Sequence, residues 1–279
     1  SDAMTTTVPP VTDAATRDRR ALLASILTAA IRAAHPDLCL PPHLPEPSPG
    51  RLIILAAGKA AGIMSAVASR FYRQKHGLGD DRIVGLAVAR HGYGQDAPGI
   101  HMVEAGHPVP DEAGISATRE ALRLATEAGP DDEVLVLLSG GGSANWIAPA
   151  GDLTLIEKQA ITRAMLRSGA PIGEINTVRK HISRIKGGRL ALAARHARSI
   201  LTLAISDVPF DDPAVIASGP TVPDPSTLAP ARAICERRGL PPPEAARPLL
   251  SDPSPATPHA AVAACARAAY RPLAPPPAP

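Results

Sequence analysis

Four short segments hold the residues that could do chemistry. The first is Ala57-Gly58-Lys59-Ala60. A glycine lets the backbone approach a ligand, and a helix starting here would offer unpaired N–H groups and a positive dipole end. Lys59 could neutralise a phosphate or carboxylate there. The same residues also suit an ordinary tight turn with an exposed lysine. The second segment is Ser139-Gly140-Gly141-Gly142-Ser143, directly after the apolar run EVLVLL. Three successive glycines are costly to order unless their bare backbone is used. Successive N–H groups of such a turn form an anion-binding concavity. A flexible linker seldom follows a buried strand directly, so we read this segment as an anion loop.

The third segment runs from Asn176-Thr177-Val178-Arg179-Lys180-His181 to Lys186-Gly187-Gly188-Arg189. It clusters cations and an amide near a glycine pair, although part of it suits a solvated helical face. The fourth is Ser206-Asp207-Val208, followed by Asp211-Asp212 and Ser218-Gly219-Pro220-Thr221. Acidic residues at a strand end, opposite cationic loops, suit a magnesium-bound phosphate. Asp211 or Asp212 could instead cap a turn or helix. His107 lies in a further loop, Gly106-His107-Pro108-Val109-Pro110-Asp111, and spacing alone leaves it unassigned. No GxxxxGK[ST] is present. Gly92-x-Gly94 is followed by Ala97 where a dinucleotide fingerprint needs glycine, and Asn145 stands where GxSxG would end.

These loops must be positioned by the elements between them. Asp13–Ala34 carries Leu22, Leu23, Ile26, Leu27 and Ile31 at helical spacing and is stopped by Pro36. After a proline-rich connector, Arg51–Ala56, Arg82–Ala89, His101–Glu104, Glu133–Leu138 and Ser199–Ile205 read as strands. Ala60–Gln74, Asp111–Glu127, Leu153–Ser168, Asn176–Lys186 and Arg189–Ala197 read as helices. Alternation of this kind predicts an α/β fold, a doubly wound, mostly parallel sheet with helices on both faces in three layers. Ligands in such sheets bind at the carboxyl ends of the strands.

Composition narrows the function. The 279 residues carry a net charge of +3 with mixed signs, and only 2% are aromatic. That argues against a nucleic-acid surface. No apolar stretch reaches about 18 residues, so no membrane partner is expected. Three widely spaced cysteines, Cys39, Cys235 and Cys265, form neither a disulfide framework nor a zinc pattern and fit the cytoplasm. Residues 1–12 read as an expression scar (Ser1-Asp2-Ala3) and a disordered N-terminus, and 13–240 as the α/β domain. From Pro241 onward 12 of 39 residues are proline. This segment, 241–279, reads as a Pro/Ala-rich remnant or tail, with one helix around His259–Tyr270.

The stretches AAGKAAGIM, EAGHPVPDEAG, LLSGGGSA, GAPIGEINTVRKHISRIKGGRLA and ISDVPFDDPAVIASGPTVPD occur in this order. Together they resemble the N-terminal domain of the glycerate 2-kinases of the MOFRL group, some of which carry the older name hydroxypyruvate reductase. The resemblance covers about Asp13 to Gly239. It implies ATP-dependent phosphorylation of D-glycerate at its 2-hydroxyl, giving 2-phosphoglycerate, with ATP and Mg²⁺ as cofactors. Alternatives are an NAD(P)H-dependent hydroxypyruvate reductase and a non-catalytic, small-anion-binding remnant. The resemblance implies that Lys59 binds the transferring phosphate and that Asp207 acts near the acceptor hydroxyl or the metal. Ser139, Gly140, Gly141, Gly142 and Ser143 would hold substrate or phosphate, with Asn176 and Arg179 facing the same cleft. Gly58, His107 and Lys186 join the binding set, and Asp212 joins Asp207 at the metal. A homodimer is left open. Three departures stand out. Phe210 replaces a usual glycine, and Asn145-Trp146 replaces small or aliphatic residues. The smaller second domain, which supplies a catalytic arginine in the family, is expected to be largely missing, as in a truncated or frame-shifted chain.

Overall fold

The structure is a computed structural model, and it describes residues 14–224, 228–240, 246–247 and 270–272. Two helices come first, α1 (Ala14–Ala33) and the single turn α2 (Pro36–Cys39). The Leu22–Ile31 stripe of α1 stays exposed among the described residues. The alternating part follows as β1 (Leu52–Ala57), α3 (Ala61–His76), β2 (Ile83–Arg90), β3 (Ile100–Ala105), α4 (Glu112–Thr126) and β4 (Glu133–Ser139). Then come α5 (Gly142–Asn145), α6 (Leu155–Arg167), α7 (Ile172–His181), α8 (Arg189–Ala193), β5 (Ser199–Ile205), α9 (Leu228–Arg237) and β6 (Tyr270–Pro272).

All strands are parallel, in the order β3-β2-β1-β4-β5-β6. The doubly wound expectation therefore holds. Every residue of β1 and β4 is buried, as central parallel strands require. Alternate side chains feed two cores. Ile53, Leu55, Val134 and Val136 meet Ala117, Ala121 and Leu124 of α4 and Leu190 of α8 on one face. Leu52, Ile54, Leu135 and Leu137 meet Met64, Val67 and Tyr72 of α3 on the other. Each fully buried aliphatic side chain of this kind contributes about 1.5–3 kcal/mol. A third apolar cluster, away from the sheet, joins Met165 of α6, Ile175 and Val178 of α7 and Ile234 of α9.

Local chemistry sets the helix ends. The Asp111 side chain accepts the Gly114 N–H and starts α4, and Thr154 with Glu157 forms a capping box at α6. Two expected helices are shorter than their sequences suggest. The stretch Asn176–Lys186 is helical only to His181. Beyond it the backbone pairs with another segment: Ala150 N–H donates to Ile182 O (3.1 Å) and Arg184 N–H to Ala148 O (2.9 Å). The stretch Arg189–Ala197 is helical only to Ala193, because the chain then turns to enter β5, with Arg198 N–H on Asp132 O (2.8 Å). In both places tertiary pairing overrides helical propensity. The helix expected around His259–Tyr270 lies outside the described residues apart from Tyr270, which opens β6 and pairs with Thr202.

Candidate active site

Strand order reverses between β1 and β4, so their connections leave toward opposite faces and open a crevice at the carboxyl ends. The two loops at that point are tied together. Lys59 N–H donates to Gly140 O at 2.8 Å, and Ala60 N–H donates to Ser139 Oγ at 2.9 Å. The loop after β5 closes on the same place. Lys59 Nζ lies 3.3 Å from Asp207 Oδ2, with both side chains about half exposed.

The glycine run is explained by what surrounds it. A Cβ on Gly140 would fall on the Asp207 carboxylate. A Cβ on Gly141, which sits at φ 87°, would lie 2.7 Å from the His107 ring, and one on Gly142 would lie 2.9 Å from Ala217 Cβ. The bare turn thus lets three other loops approach one point. His107 is drawn in by this packing. Its pKa is lowered chiefly by burial, then by the nearby Lys59 and Arg90 charges, against a smaller opposing effect of Asp207. This favours the neutral ring. Asn145 Nδ2 donates to Gly106 O (3.3 Å) and fastens the His107 loop to α5. The adjacent Trp146 fills the core under α4, and its indole N–H and the Asn145 Oδ1 are buried without a hydrogen-bond partner among the described residues. Ser143 Oγ and Ser218 Oγ are 2.8 Å apart. Ser218 and Ala217 hold left-handed backbone, φ 61° and 50°, conformations that cost about 1–3 kcal/mol and gather at functional sites.

Beside the glycine turn is a cavity of about 410 Å³, lined by His107, Gly141, Ser143, Lys158, Arg179 and Lys186, among others. Lys186 is buried with its Nζ on Ser143 O (2.8 Å) and Trp146 O (2.9 Å), so it braces α5 as well as lining the cavity. Sequence reading passed over Lys158. It sits mid-helix, where a lysine reads as a solvated face, yet it shares a face with Met165 seven residues on, and only 3% of it is exposed. Its place on the apolar stripe of α6 was the available signal. Burial and the charges of Arg179 and Arg189 lower its pKa to about 7.

Not every expected residue reaches this point. Asn176 is buried on α7 and does not line the cavity, whereas Arg179, one turn on, does. Asp212 Oδ1 accepts the Ala214 N–H at 2.9 Å and caps its own turn. Among the described residues no three His, Cys, Asp or Glu side chains gather as a ready-made metal site. Phe210 sits at φ 66°, fully exposed, in backbone that favours glycine.

A family model described as "Domain of unknown function (DUF4147)" matches residues 22–251. The chain belongs to this family. The DUF4147 chain is 46% identical over 231 residues to a protein of Agrobacterium vitis named "Putative hydroxypyruvate reductase", covering 83% of this chain and 51% of that one. It is 41% identical over 220 residues to the D-glycerate 2-kinase of Thermotoga maritima, covering 78% and 51%. The crystal structure of a Thermotoga maritima glycerate kinase superposes with a TM-score of 0.80 at 35% identity, covering 92% of this chain and 59% of that one. The DUF4147 chain spans about half the length of these curated relatives. Among the described residues no helix is long and apolar enough to cross a membrane.

Proposed function

We propose that the chain carries the phosphoryl-transfer site of an ATP- and Mg²⁺-dependent glycerate 2-kinase, which converts D-glycerate to 2-phosphoglycerate. The observation that carries this reading is the Lys59–Asp207 pair against the glycine turn. Phosphoryl transfer needs mainly positioning and charge neutralisation. Lys59 balances the charge on the phosphate oxygens. Asp207 accepts the proton of the acid's 2-hydroxyl or helps hold the divalent cation. Neutral His107 can give or take one hydrogen bond between the turn and the cavity. Mg²⁺ uses one or two carboxylates and completes its shell with phosphate oxygens and water. A lone exposed Asp207 fits such a nucleotide-borne ion better than a protein-only cage, and the ion would neutralise phosphate charge there. The free, buried Cys39 and Cys235 agree with a reducing, cytoplasmic setting.

The reductase name of one relative suggests a second reading, and the strand order is one that dinucleotide-binding sheets use. The turn after β1 argues against it. A dinucleotide rests its pyrophosphate on the N–H groups of that turn. Here the Lys59 and Ala60 N–H groups are already committed to Gly140 O and Ser139 Oγ.

One assay separates the two readings. The chain, alone and joined to the second half of a kinase relative, is given D-glycerate, Mg²⁺ and γ-labelled ATP. A parallel sample receives hydroxypyruvate and NADH. Label in 2-phosphoglycerate supports the kinase. NADH oxidation without label transfer in either form overturns it.

A further inference from the structure

The cavity beside the glycine turn gathers basic side chains with no acidic side chain to meet them among the described residues. Lys158 and Lys186 are 3% and 2% exposed. Lys158 Nζ donates to Ile182 O at 3.0 Å, which leaves two of its three N–H groups without a protein acceptor. The half-buried Arg179 guanidinium makes no hydrogen bond or ion pair among the described residues. Nor does any carboxylate lie within ion-pair distance of Lys158, Lys186 or Arg179 among them. Burying a charge is expensive unless a partner compensates it. Burial makes the two lysines easier to deprotonate, but the unpartnered Arg179 guanidinium and the unused Lys158 N–H donors around one open cavity still call for an anion from outside the chain.

We propose that this cavity is a carboxylate subsite, in which Lys158 of α6 and Arg179 of α7 hold the ionised carboxyl group of a short hydroxy acid. Arg179 offers the planar fork that matches a carboxylate, and Lys158 offers a point charge beneath it. Thr162 lines the same cavity and could serve a further oxygen of the ligand. Val109, Ile147 and Leu166 give the cavity an apolar side. Among the described residues no Asp or Glu lines it, so those residues offer no carboxylate to the metal of a nucleotide triphosphate. His107 and Gly141 form its border with the Lys59–Asp207 pair. A hydroxyl next to a bound carboxylate would thus face the transfer site. The identity of the acid as the phosphoryl acceptor rests on the kinase reading; the anion subsite does not. The cavity exceeds a three-carbon acid, so slightly longer 2-hydroxy acids should also enter.

The test is calorimetric titration of the full chain with D-glycerate, uncharged glycerol and ADP, repeated on Lys158→Met and Arg179→Gln, with folding checked by circular dichroism. D-Glycerate should bind and glycerol should not. Each substitution should weaken D-glycerate about 10–100-fold, the loss expected for one hydrogen bond to a charged group, with ADP binding unchanged. If one variant fails to fold, the other decides. Unchanged D-glycerate affinity in a folded variant, or no D-glycerate binding to the parent chain, would overturn the proposal. A loss confined to ADP would make the cavity a nucleotide site and also overturn it. Lys158-dependent D-glycerate binding in a protein that transfers no phosphate would sink the kinase reading and leave the subsite standing.

Discussion

Lys59 and Asp207 are 148 residues apart in the chain and 3.3 Å apart in space. Their side chains are 50% and 58% exposed, so the ion pair itself is worth little to folding, about 0–1 kcal/mol. We therefore expect Lys59→Ala to leave the melting temperature nearly unchanged. Its cost should fall on catalysis, about 10²–10³ in kcat by analogy with the loss of one donor to a developing anion. Thermal melts and steady-state phosphoryl transfer, in the form of the protein that turns over, measure the two separately. Near-normal kcat would remove Lys59 from the mechanism.

The second prediction isolates the glycine turn. Gly141→Ala places a methyl group 2.7 Å from the His107 ring at φ 87°. Gly169→Ala meets the same backbone penalty at φ 70° with nothing within 4 Å. Left-handed backbone costs a non-glycine residue about 1–2 kcal/mol. Both variants should lose about that much in denaturant unfolding. Only Gly141→Ala should also lose activity, because His107 must move. Equal activity in the two would show that the close approach of His107 to the turn is not needed.

Much of this site was legible in the sequence because its parts are local. A glycine run after EVLVLL and a Gly-Lys turn after RLIILA announce themselves by spacing, and alternation alone places both at the same edge of the sheet. The meeting of Lys59 with Asp207 also follows, once β5 is known to run parallel beside β4. What sequence reasoning missed depends on contacts between distant segments. Lys158 was hidden in a polar-looking helix because its burial comes from packing of α6 against Ile182 and its neighbours. The early end of α7 was hidden because residues 148–150 compete for its backbone. The family resemblance puts Asn176 in the cleft with Arg179, and the two do share a face of α7, but Asn176 is buried in the packing and only Arg179 reaches the cavity wall.

The third prediction concerns Phe210. Its ring is fully exposed, and its backbone lies at φ 66°. Relief of left-handed strain, about 1–2 kcal/mol, exceeds the entropy cost of a glycine, about 0.5–1 kcal/mol. Phe210→Gly should stabilise the chain by about 0.5–1 kcal/mol, since no buried contact is lost. Denaturant midpoints test this. A lower midpoint would mean that the phenyl ring makes a stabilising contact in solution.

The last prediction follows from the cations around Lys158. Burial first, then the charges of Arg179 and Arg189, push its pKa down to about 7. The nearby Lys186 is pushed in the same direction by burial and by Lys158. In the unfolded chain a lysine titrates near about 10.4. Between these two values the unfolded state binds more protons than the folded state, so stability rises with pH across that window. On acidification the penalty accumulates from about pH 10 down to about pH 7 and then levels off. Lys158→Met removes this contribution while keeping the length of the side chain. The variant should be more stable than the parent at pH 7, by about 1–3 kcal/mol, the scale on which apolar replacements of buried charges stabilise proteins. That advantage should shrink toward pH 10 and beyond, where Lys158 is neutral in the folded parent and the unfolded lysine begins to lose its proton. Lys186 titrates in both proteins, and losing Lys158 relieves part of its shift, so the difference between their pH–stability curves reports Lys158 together with its effect on Lys186. A gain in stability that accompanies loss of acid binding is the trade-off expected of a charge kept for its ligand rather than for the fold. A difference curve that stays flat from pH 7 to pH 10 would show that Lys158 is not the buried, charge-crowded group described here.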